Sequence, residues 1–569
     1  MDDKLSSAAS PSESSLLVER GMAEEDEERE AEQGVRRVTS GGGVHRKLAM
    51  PDRLRSFFAR YPVVREALLW ALPAIAFGAV LRLLLLSYLP YAYWGSDSRS
   101  YFSFAHMLLE KGYVSLDEKR RYLYPILLVP VSALPGAPLR WLAWFQHGLG
   151  LATIVPLAYV MRKTLAHWRW WIVPVTLVWS GMPMVLWYEH ELLGENVFFA
   201  AIVWAIAGWC AWVNEARLAR AQRLFWWFFV PFGLFLITKP SGRFVWPGVC
   251  LGLVLVAAWR KLNWRLWAAL AALVLVTLTV GSKKQAAWLL YVATFPLTRL
   301  ETPLHADYKA EIRDLVEPLR SEIDTYYLRD QVPFTFLENP GKQEARPLWK
   351  ELDTDAKKKA RIYLDLAIEG IKARPDLFLH LALQRVVASA NLSEFKEERF
   401  TPEYYPARVE HHYEQAIEEV ANGKPSAVRA AFALPKAGPL PPWPEFRQRL
   451  SPRPDSFAAR AILGWVRGFE AVADVVRIPE SKDLRERALR HIRPTLLGVW
   501  LLAGAGLSLL PAYRKTLGVW MFVALSYLLG VFLVSQPNPR YFGPAWAMLV
   551  PLFAVPMDTV ARRIRPPRS

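Results

Sequence analysis

The chain has 569 residues, of which 53% are hydrophobic, and it carries 25 tryptophans and a formal net charge of +17. This balance is too apolar for an ordinary soluble protein of this length and too charged for a bare bundle of membrane helices, so a chain that is part membrane and part water-exposed is expected. The two cysteines, Cys210 and Cys250, stand in apolar runs and support neither a disulfide framework nor a thiolate metal site.

The first segment, residues 1–50, lacks apolar periodicity and contains an acidic run from Glu24 to Glu32. A cleavable signal peptide would need the reverse, a basic start followed by an apolar stretch. We therefore expect a disordered cytoplasmic tail and no cleavable signal peptide.

Apolar runs long enough to cross about 30 Å of hydrocarbon follow along the chain. They cover residues 66–89, 139–161, 169–188, 196–213, 224–238, 244–259, 264–281, 494–512, 517–535 and 542–558. The fifth and sixth runs are short and can form one broken pair around Lys239. About ten spans are therefore expected, about seven of them in a core over residues 60–281 and about three over residues 494–560.

Basic residues predict the orientation, because Lys and Arg accumulate in cytoplasmic loops. With the N-terminus inside, the cytoplasmic segments are all basic: 162–169, 216–223, 260–265, 514–515 and the tail 561–569. Their agreement predicts cytoplasmic N- and C-termini. It also accounts for much of the net charge, so nucleic acid is not expected as a partner.

Two parts of the chain then lie outside, the loop 90–138 and the long region 282–493. In the long region, residues 361–392 and 456–476 have apolar residues at helical spacing, which predicts a mainly helical structure. The apolar stretch 286–297 is too short to span and is expected at the interface or packed under this region. The predicted fold class is an all-α polytopic membrane protein with juxtamembrane helices in its first external loop.

The first external loop contains a candidate helix start. Ser96 or Asp97 can cap a helix with an apolar inner face, and Asp97 is then either a cap alone or an acid with a chemical role. The inner face consists of Tyr101, Phe104, Ala105, Leu108 and Leu109. The next segment, 120–136, is too short and too rich in proline for an ordinary span, so two juxtamembrane elements are expected over the entrance of the bundle.

A second acidic group follows the third predicted span. Glu191 and Glu195 stand four residues apart, so on one helix they would share a face and repel each other unless a cation or a proton lies between them. His190 could join a metal site, but the spacing matches no metal-binding motif, so the pattern is weak evidence and a metal is left unknown. The alternative is a charged interfacial turn in which Glu195 caps the next span.

Three cations stand at predicted external helix ends, where topology does not require positive charge. They are Lys239, Arg243 and Arg540. A phosphate is the simplest partner, because Arg grips it through paired hydrogen bonds and Lys acts as a point charge. The alternative for each cation is snorkelling to lipid headgroups. Acids able to act as bases and cations able to hold phosphate on one membrane face fit a transfer reaction with a phosphate-bearing leaving group.

At these residues the chain resembles the GT-C superfamily of polytopic glycosyltransferases, in the neighbourhood of protein O-mannosyltransferases and the bacterial aminoarabinose transferase that modifies lipid A. The matching patterns are Asp97 with Tyr101, Ala105, Leu108, Leu109 and Gly112; Tyr124-Pro125-Ile126-Leu127; Trp179 through Glu195 to Phe199; Phe232-Gly233-Leu234 through Thr238-Lys239-Pro240-Ser241; and Arg540-Tyr541 with Pro544 and Pro551. The region 282–493 matches no motif of the family, so the acceptor is left open.

The resemblance implies an inverting transfer of a hexosyl or pentosyl group from a polyprenyl-phosphate donor to a glycan, lipid or protein acceptor, on the outer face of a bacterial inner (plasma) membrane. It implies that Asp97 is the catalytic base. The donor phosphate would be held by Lys239, Arg243, Arg540 and Arg121, and the acceptor or a cation would be positioned by Glu191, Glu195, His190, Tyr101, Tyr124 and Tyr541. No cofactor is certain. Asp97 is followed by Ser98 and Arg99 where many relatives carry a second acid, so dependence on a divalent cation is left open.

Three other functions fit the same residues. A transporter or flippase of a lipid-linked saccharide would use the same cations, and it predicts charged residues deep within spans and pseudo-symmetric halves. A non-catalytic membrane scaffold would tolerate substitution of Asp97 and Arg540. A polymerase or ligase would transfer from a diphosphate lipid.

Overall fold

The computed structural model describes most of the chain from residue 61 onward. The described residues are 55–56, 58–59, 61–95, 97–111, 123–166, 169–238, 240–257, 264–279, 283–323, 342–379, 381–382, 397–423, 426–435, 438–450, 453–476, 502–534 and 539–564. The predicted tail 1–50 and the first part of the predicted span 494–512 lie outside them. The chain divides into two units, Met1–Pro62 and Val63–Ser569, and the contacts reported below belong to the second.

Helices account for all the regular structure in these ranges, where the one strand-type pairing is an isolated bridge between Tyr93 and Glu191. The first eleven are α1 Pro62–Tyr88, α2 Ser98–Lys111, α3 Leu123–Ser132, α4 Pro138–Ala152, α5 Ile154–Thr164, α6 Ile172–Gly181, α7 Pro183–His190, α8 Glu195–Val213, α9 Leu218–Thr238, α10 Trp246–Ala257 and α11 Trp264–Thr279. The others are α12 Lys283–Thr294, α13 Ala306–Glu311, α14 Arg313–Ile323, α15 Pro347–Glu351, α16 Ala356–Ala373, α17 Tyr404–Ala421, α18 Ala427–Ala431, α19 Trp443–Leu450, α20 Phe457–Val476, α21 Val519–Val534, α22 Pro539–Leu549 and α23 Val555–Ile564. The predicted all-α class is confirmed.

Several helices are long and apolar enough to cross a membrane, which is consistent with a membrane protein. Among the residues that the structure describes, four helices qualify individually: Pro62–Tyr88, Glu195–Val213, Ala219–Thr238 and Pro544–Ile564. A fifth results if the pair Arg169–Gly181 and Pro183–His190, bent by 45°, is counted as one broken span. The expected number of about ten spans is not confirmed.

Breaks within two of the predicted runs contribute to the lower number. The run 139–161 divides at Thr153 into α4 and α5, which have 15 and 11 residues and are each shorter than the roughly 20 needed to span. The run 169–188 bends at Met182, where the backbone is extended between α6 and α7. Turns that interrupt an apolar run leave its hydropathy intact, so they do not show in a count of apolar residues.

The larger hydrophobic core joins the apolar helices to part of the predicted extracytoplasmic region. In α20, the indole Nε1 of Trp465 donates to the carbonyl of Gly181 at 2.6 Å, and its ring meets Phe77 edge-on with centroids 4.9 Å apart. Phe400 and Tyr405 are fully buried in the same core. This part of the region therefore lies directly on α1 and α6.

A second, smaller core lies between α12 and α16. Tyr291 is fully buried against Trp349 and Tyr363, with ring centroids 6.1 Å and 4.9 Å away, and its hydroxyl donates to Gln343 Oε1 at 3.0 Å. The apolar stretch 286–297 thus packs inside the region, which was one of its two expected places. We call the described residues from 283 to 382 the second core module.

Candidate functional site at the first loop

The described residues between α1 and α2, 89–95 and Asp97, are what we call the first loop, and hydrogen bonds fix it to the turn between α7 and α8. The amide of Tyr93 donates to the carbonyl of His190 at 2.6 Å, and the amide of Leu192 donates to the carbonyl of Tyr93 at 2.9 Å. The hydroxyl of Ser98 accepts from the amide of Gly95 at 2.8 Å and donates to the carbonyl of Leu192 at 3.0 Å. Three of these bonds reach His190 or Leu192, and the fourth joins Gly95 to the start of α2, so the loop is held without a β-sheet.

Asp97 lies at the end of the first loop, directly before α2, and it is half-buried. Its carbonyl accepts from the hydroxyl of Ser100 at 2.8 Å and from the amide of Tyr101 at 3.4 Å, as expected for the residue that begins a helix. The predicted inner face of α2 is mostly buried, but Leu109 is exposed. The helix start is thus where the sequence predicted it, and the role of the carboxylate as a base stays a prediction.

The expectation that Glu191 and Glu195 share one helix face is wrong. α7 ends at His190, Glu191 has extended backbone, and Glu195 begins α8, so a turn separates the two acids. Glu191 Oε2 accepts from the indole of Trp187 at 2.9 Å. Glu195 is buried in the first turn of α8, where the helix dipole favours a negative charge.

Side-chain amides hold this turn in place. The Nε2 of Gln146, on α4, donates to the carbonyl of Glu191 at 2.9 Å. The backbone carbonyl of Gln146 accepts a hydrogen bond from Asn196 Nδ2 at 2.6 Å, which links α4 to the start of α8. Gln146 and Asn196 are buried, so both bonds are protected from water.

The structure brings two of the predicted tyrosines together beside the same turn. The rings of Tyr101 and Tyr124 pack edge-on with centroids 5.2 Å apart, and both side chains are buried. A Cβ at Gly194 would lie 3.5 Å from both Tyr124 Cβ and Thr238 Cγ2, so α3, the turn before α8 and the end of α9 meet at one point. Four of the five sequence patterns named above therefore contribute a residue here: Tyr101, Tyr124, Gly194 and Thr238.

The predicted phosphate-binding cations are not tested by this arrangement. Arg121 and Lys239 lie outside the described residues. Arg243 lies in the short helical segment Pro240–Val245, and Arg540 and Tyr541 begin α22, but the side chains of these three are not described. Their roles stay predictions.

A series of four buried ionisable side chains, each in contact with the next, lies beneath the first loop, and the sequence did not predict it. Arg82 Nη2 binds Glu189 Oε1 at 2.5 Å, Glu189 Oε2 lies 2.9 Å from His147 Nδ1, and His147 Nε2 lies 3.0 Å from His190 Nδ1. All four residues are at most 2% exposed. A lone Arg within the first apolar run was the available signal, since a charge there requires a buried partner.

This buried series of side chains can hold one additional proton without movement of heavy atoms. When His147 is neutral, its Nδ1 donates to Glu189 and its Nε2 accepts from His190. When His147 is protonated, both ring nitrogens donate and His190 accepts instead. The carboxylate and the guanidinium balance each other, so the imidazoles decide the net charge.

The first loop is covered by residues 397–423, which we call the covering segment. The Tyr405 hydroxyl donates to the carbonyl of Ala92 at 2.9 Å across 313 residues of sequence, and the Tyr93 hydroxyl donates to the carbonyl of Arg399 at 3.2 Å. Burial raises the pKa of both tyrosines well above the ordinary value, so both hydroxyls remain donors. The predicted region without family motifs therefore forms one wall of the site.

The covering segment also brings charge to the loop. The guanidinium of Arg408, on α17, lies 3.7 Å from Glu191 Oε1. Arg99 of α2 pairs with Glu419, also on α17. No local pattern in the sequence indicates such contacts, because each joins residues that are more than 200 positions apart.

At this site the carboxylate of Glu191 lies beside the guanidinium of Arg408, where the apolar helices meet the covering segment. Among the residues that the structure describes, no group of three or more His, Cys, Asp or Glu side chains is placed to hold a metal ion, and His190, Glu191 and Glu195 form no such group. No family model, no curated protein and no solved structure matches this chain.

Proposed function

We propose that the chain is a membrane glycosyltransferase of the GT-C type, which moves a sugar from a polyprenyl-phosphate donor to a glycan, lipid or protein acceptor. The observation that carries the proposal is the placement of Asp97. Asp97 directly precedes α2, at the end of a loop fixed to the α7–α8 turn, where apolar helices meet the covering segment. A reacting group at such a boundary meets both a lipid-linked donor and a water-soluble acceptor.

The proposed step is a single displacement at the anomeric carbon. Asp97 takes the proton of an acceptor hydroxyl, whose oxygen forms a bond to the anomeric carbon. The bond between that carbon and the phosphate oxygen breaks on the opposite face, and polyprenyl phosphate leaves with the electron pair. The configuration at the carbon is inverted, and cations near the phosphate stabilise the negative charge that develops on it.

The proposal includes a membrane arrangement. About ten spans place both termini in the cytoplasm and the first loop on the outer face of a bacterial inner membrane. Single cysteines introduced by Ala216→Cys and Ala306→Cys, in a Cys250→Ser background, test it, because both alanines are exposed. An impermeant maleimide applied to intact cells should label the Ala306→Cys variant alone, and the reverse labelling pattern would contradict the orientation.

The activity test is incubation of purified protein with a panel of polyprenyl-phosphate sugars, measuring release of free polyprenyl phosphate. The Asp97→Asn variant should lose on the order of 10² to 10⁴ in rate, as is usual when a general base is removed. Asp376→Asn is the matched control, since Asp376 is exposed and bonds to Arg374 on the surface of the second core module. Full activity of Asp97→Asn would exclude the assignment of the base.

One observation favours a second candidate function, the transport of a lipid-linked saccharide. Transport predicts charged residues within the membrane-spanning part. The buried series of side chains that begins at Arg82 and ends at His190 contains such charges. Movement of a polyprenyl-phosphate sugar across proteoliposome membranes by the Asp97→Asn variant would support transport. Absence of such movement with the wild-type protein would exclude it.

A further inference from the structure

Arg408 brings a guanidinium to the first loop from a distant part of the sequence. Its Nη1 lies 3.7 Å from Glu191 Oε1, beyond hydrogen-bond distance, and its Cζ lies 5.6 Å from the centre of the Tyr404 ring. The side chain is 32% exposed, and within the described part of the chain no group accepts a hydrogen bond from it. Its five N–H donors are therefore available to water or to a ligand.

Glu191 is a poor partner for Arg408. A well-formed pair between Arg and a carboxylate has two parallel hydrogen bonds of about 2.7–2.9 Å, whereas this contact is single and long. The other oxygen of Glu191 already accepts from Trp187. Arg82 shows that the chain forms a tight pair elsewhere, with 2.5 Å between its Nη2 and the carboxylate.

Gly95 leaves room for both charged groups directly over the loop backbone. A Cβ at this position would lie 3.0 Å from Glu191 Oε1 and 3.3 Å from Arg408 Nη2. Gly95 is two residues before Asp97. An anion bound by Arg408 would therefore lie beside the loop that carries the proposed base.

Two arginines, Arg99 and Arg408, act on His412 of α17. Burial lowers the pKa of His412 below the ordinary histidine value, and the cations Arg99 and Arg408 lower it further. Arg99 is paired with Glu419, whereas in the described residues the only acidic side chain within ion-pair distance of Arg408 is Glu191, in its long contact. A bound anion would balance the charge of Arg408.

We propose that Arg408 binds the phosphate of a polyprenyl-phosphate substrate at the first loop, and that Glu191 competes with this phosphate for the guanidinium. The proposal rests on the proposed glycosyl transfer, in which the leaving group carries that phosphate. Phosphate and guanidinium form paired, charge-assisted hydrogen bonds. Because Glu191 holds Arg408 loosely, phosphate can displace it without separating a tight ion pair.

The two partners should change phosphate binding in opposite directions. Arg408→Gln removes the positive charge and should weaken binding by at least about tenfold, the typical effect of losing a charged hydrogen bond. Glu191→Gln removes the competing charge but keeps an acceptor for Trp187, and should strengthen binding about two- to fivefold. If the pair only held the fold together, both variants would weaken binding.

Isothermal titration of decaprenyl phosphate into the full-length protein, in nanodiscs of zwitterionic lipid, measures these changes. Arg449→Gln is the matched control, because Arg449 pairs with Glu445 on the surface of α19 at 2.6 Å. Its Kd should equal that of the wild-type protein. An unchanged Kd for Arg408→Gln, or a weaker Kd for Glu191→Gln, would overturn the proposal. Arg408→Lys, which keeps the charge, should restore part of the binding.

Two further arms identify the source of the phosphate. Binding of decaprenyl phosphate that persists in nanodiscs of phosphatidylglycerol supports a site for the substrate, and its loss there would assign Arg408 to a general headgroup contact. Millimolar inorganic phosphate should compete only weakly, because it lacks the lipid tail. Complete displacement by inorganic phosphate would indicate a free-phosphate site and would count against the proposal.

Binding and transfer measured on the same variants distinguish failure of the phosphate site from failure of the proposed glycosyl transfer. Asp97→Asn should bind decaprenyl phosphate like the wild-type protein, since the phosphate site does not require the base. If the wild-type protein binds through Arg408 but transfers no sugar, the proposed function fails and the phosphate site stands. If Asp97→Asn abolishes transfer while Arg408→Gln binds normally, the proposed function stands and the phosphate site fails.

Discussion

The first-loop site and the second core module each contain a pair between an arginine and a carboxylate, and these two pairs lie in opposite environments. In the module, the side chains of Arg374 and Asp376 are paired but 51% and 64% exposed. Beneath the first loop, the side chains of Arg82 and Glu189 are 3% and 1% exposed. The module is held together by packed aromatic rings, and the site is held together by polar contacts inside an apolar bundle.

The polar contacts of the site show how one short turn, at the end of α7, is positioned by three separate parts of the chain. Glu189 binds Arg82 of α1, His190 lies against His147 of α4, and Glu191 faces the covering segment. Three consecutive residues thus reach three different elements. Because buried charges tolerate little mispairing, such contacts specify the conformation of the turn more narrowly than apolar packing would.

The largest expected effect comes from Arg82→Met, which leaves the carboxylate of Glu189 buried without its guanidinium. Removing one member of a buried pair costs about 3–5 kcal/mol in the free energy of unfolding. Arg374→Met, the matched change in the module, should cost far less, because water solvates both partners of an exposed pair. Unfolding of each variant by SDS titration from mild detergent measures both values, and equal costs would remove the distinction between the two regions.

A pair of glycines on α4 gives the next largest effect. A Cβ at Gly150 would lie 1.8 Å from Glu189 Oε1, and that carboxylate cannot move aside without leaving Arg82 and His147. Gly150→Ala should therefore destabilise the protein by about 1–3 kcal/mol, the usual cost of overpacking.

Gly148 is the internal control for this substitution, since nothing lies within 4 Å of a Cβ built there. Gly148→Ala in the same helix should stabilise the protein by up to about 1 kcal/mol through helix propensity. The same unfolding assay compares the two variants. A change of the same sign in both would show that Glu189 is less constrained than its contacts indicate.

The sequence predicted those features that depend on local pattern. The start of α2 at Asp97 follows from a capping residue before an apolar stripe, and α20 follows from apolar residues at helical spacing. The prediction that Glu191 and Glu195 share a helix face was wrong for a reason that is also local. The four-residue spacing implies a shared face only if the helix is continuous, and the chain turns between them.

The contacts that close the site could not be predicted in this way. The pairing of Tyr405 with Ala92 and of Arg408 with Glu191 joins segments that are far apart in sequence, and neither residue stands in a recognisable motif. Arg82 could have been found, because an Arg inside an apolar run requires a buried acid. Its partner Glu189 was visible as one of three acids in a short segment, but nothing local distinguishes it from Glu191.

The smallest expected effect concerns an exposed pair in the second core module and depends on pH. A hydrogen bond from Arg320 holds the pKa of Glu301 at about 2, below its ordinary value. Because the folded-state pKa is lowered, the pair stabilises the protein above the unfolded value of 4.5, and this contribution is lost as the pH falls towards 2. Glu301→Gln should therefore cost about 0.5 kcal/mol at pH 6 and clearly less at pH 3, measured by thermal unfolding in detergent. A cost that is the same at both pH values would mean that the carboxylate acts through packing or neutral hydrogen bonding and not through its charge.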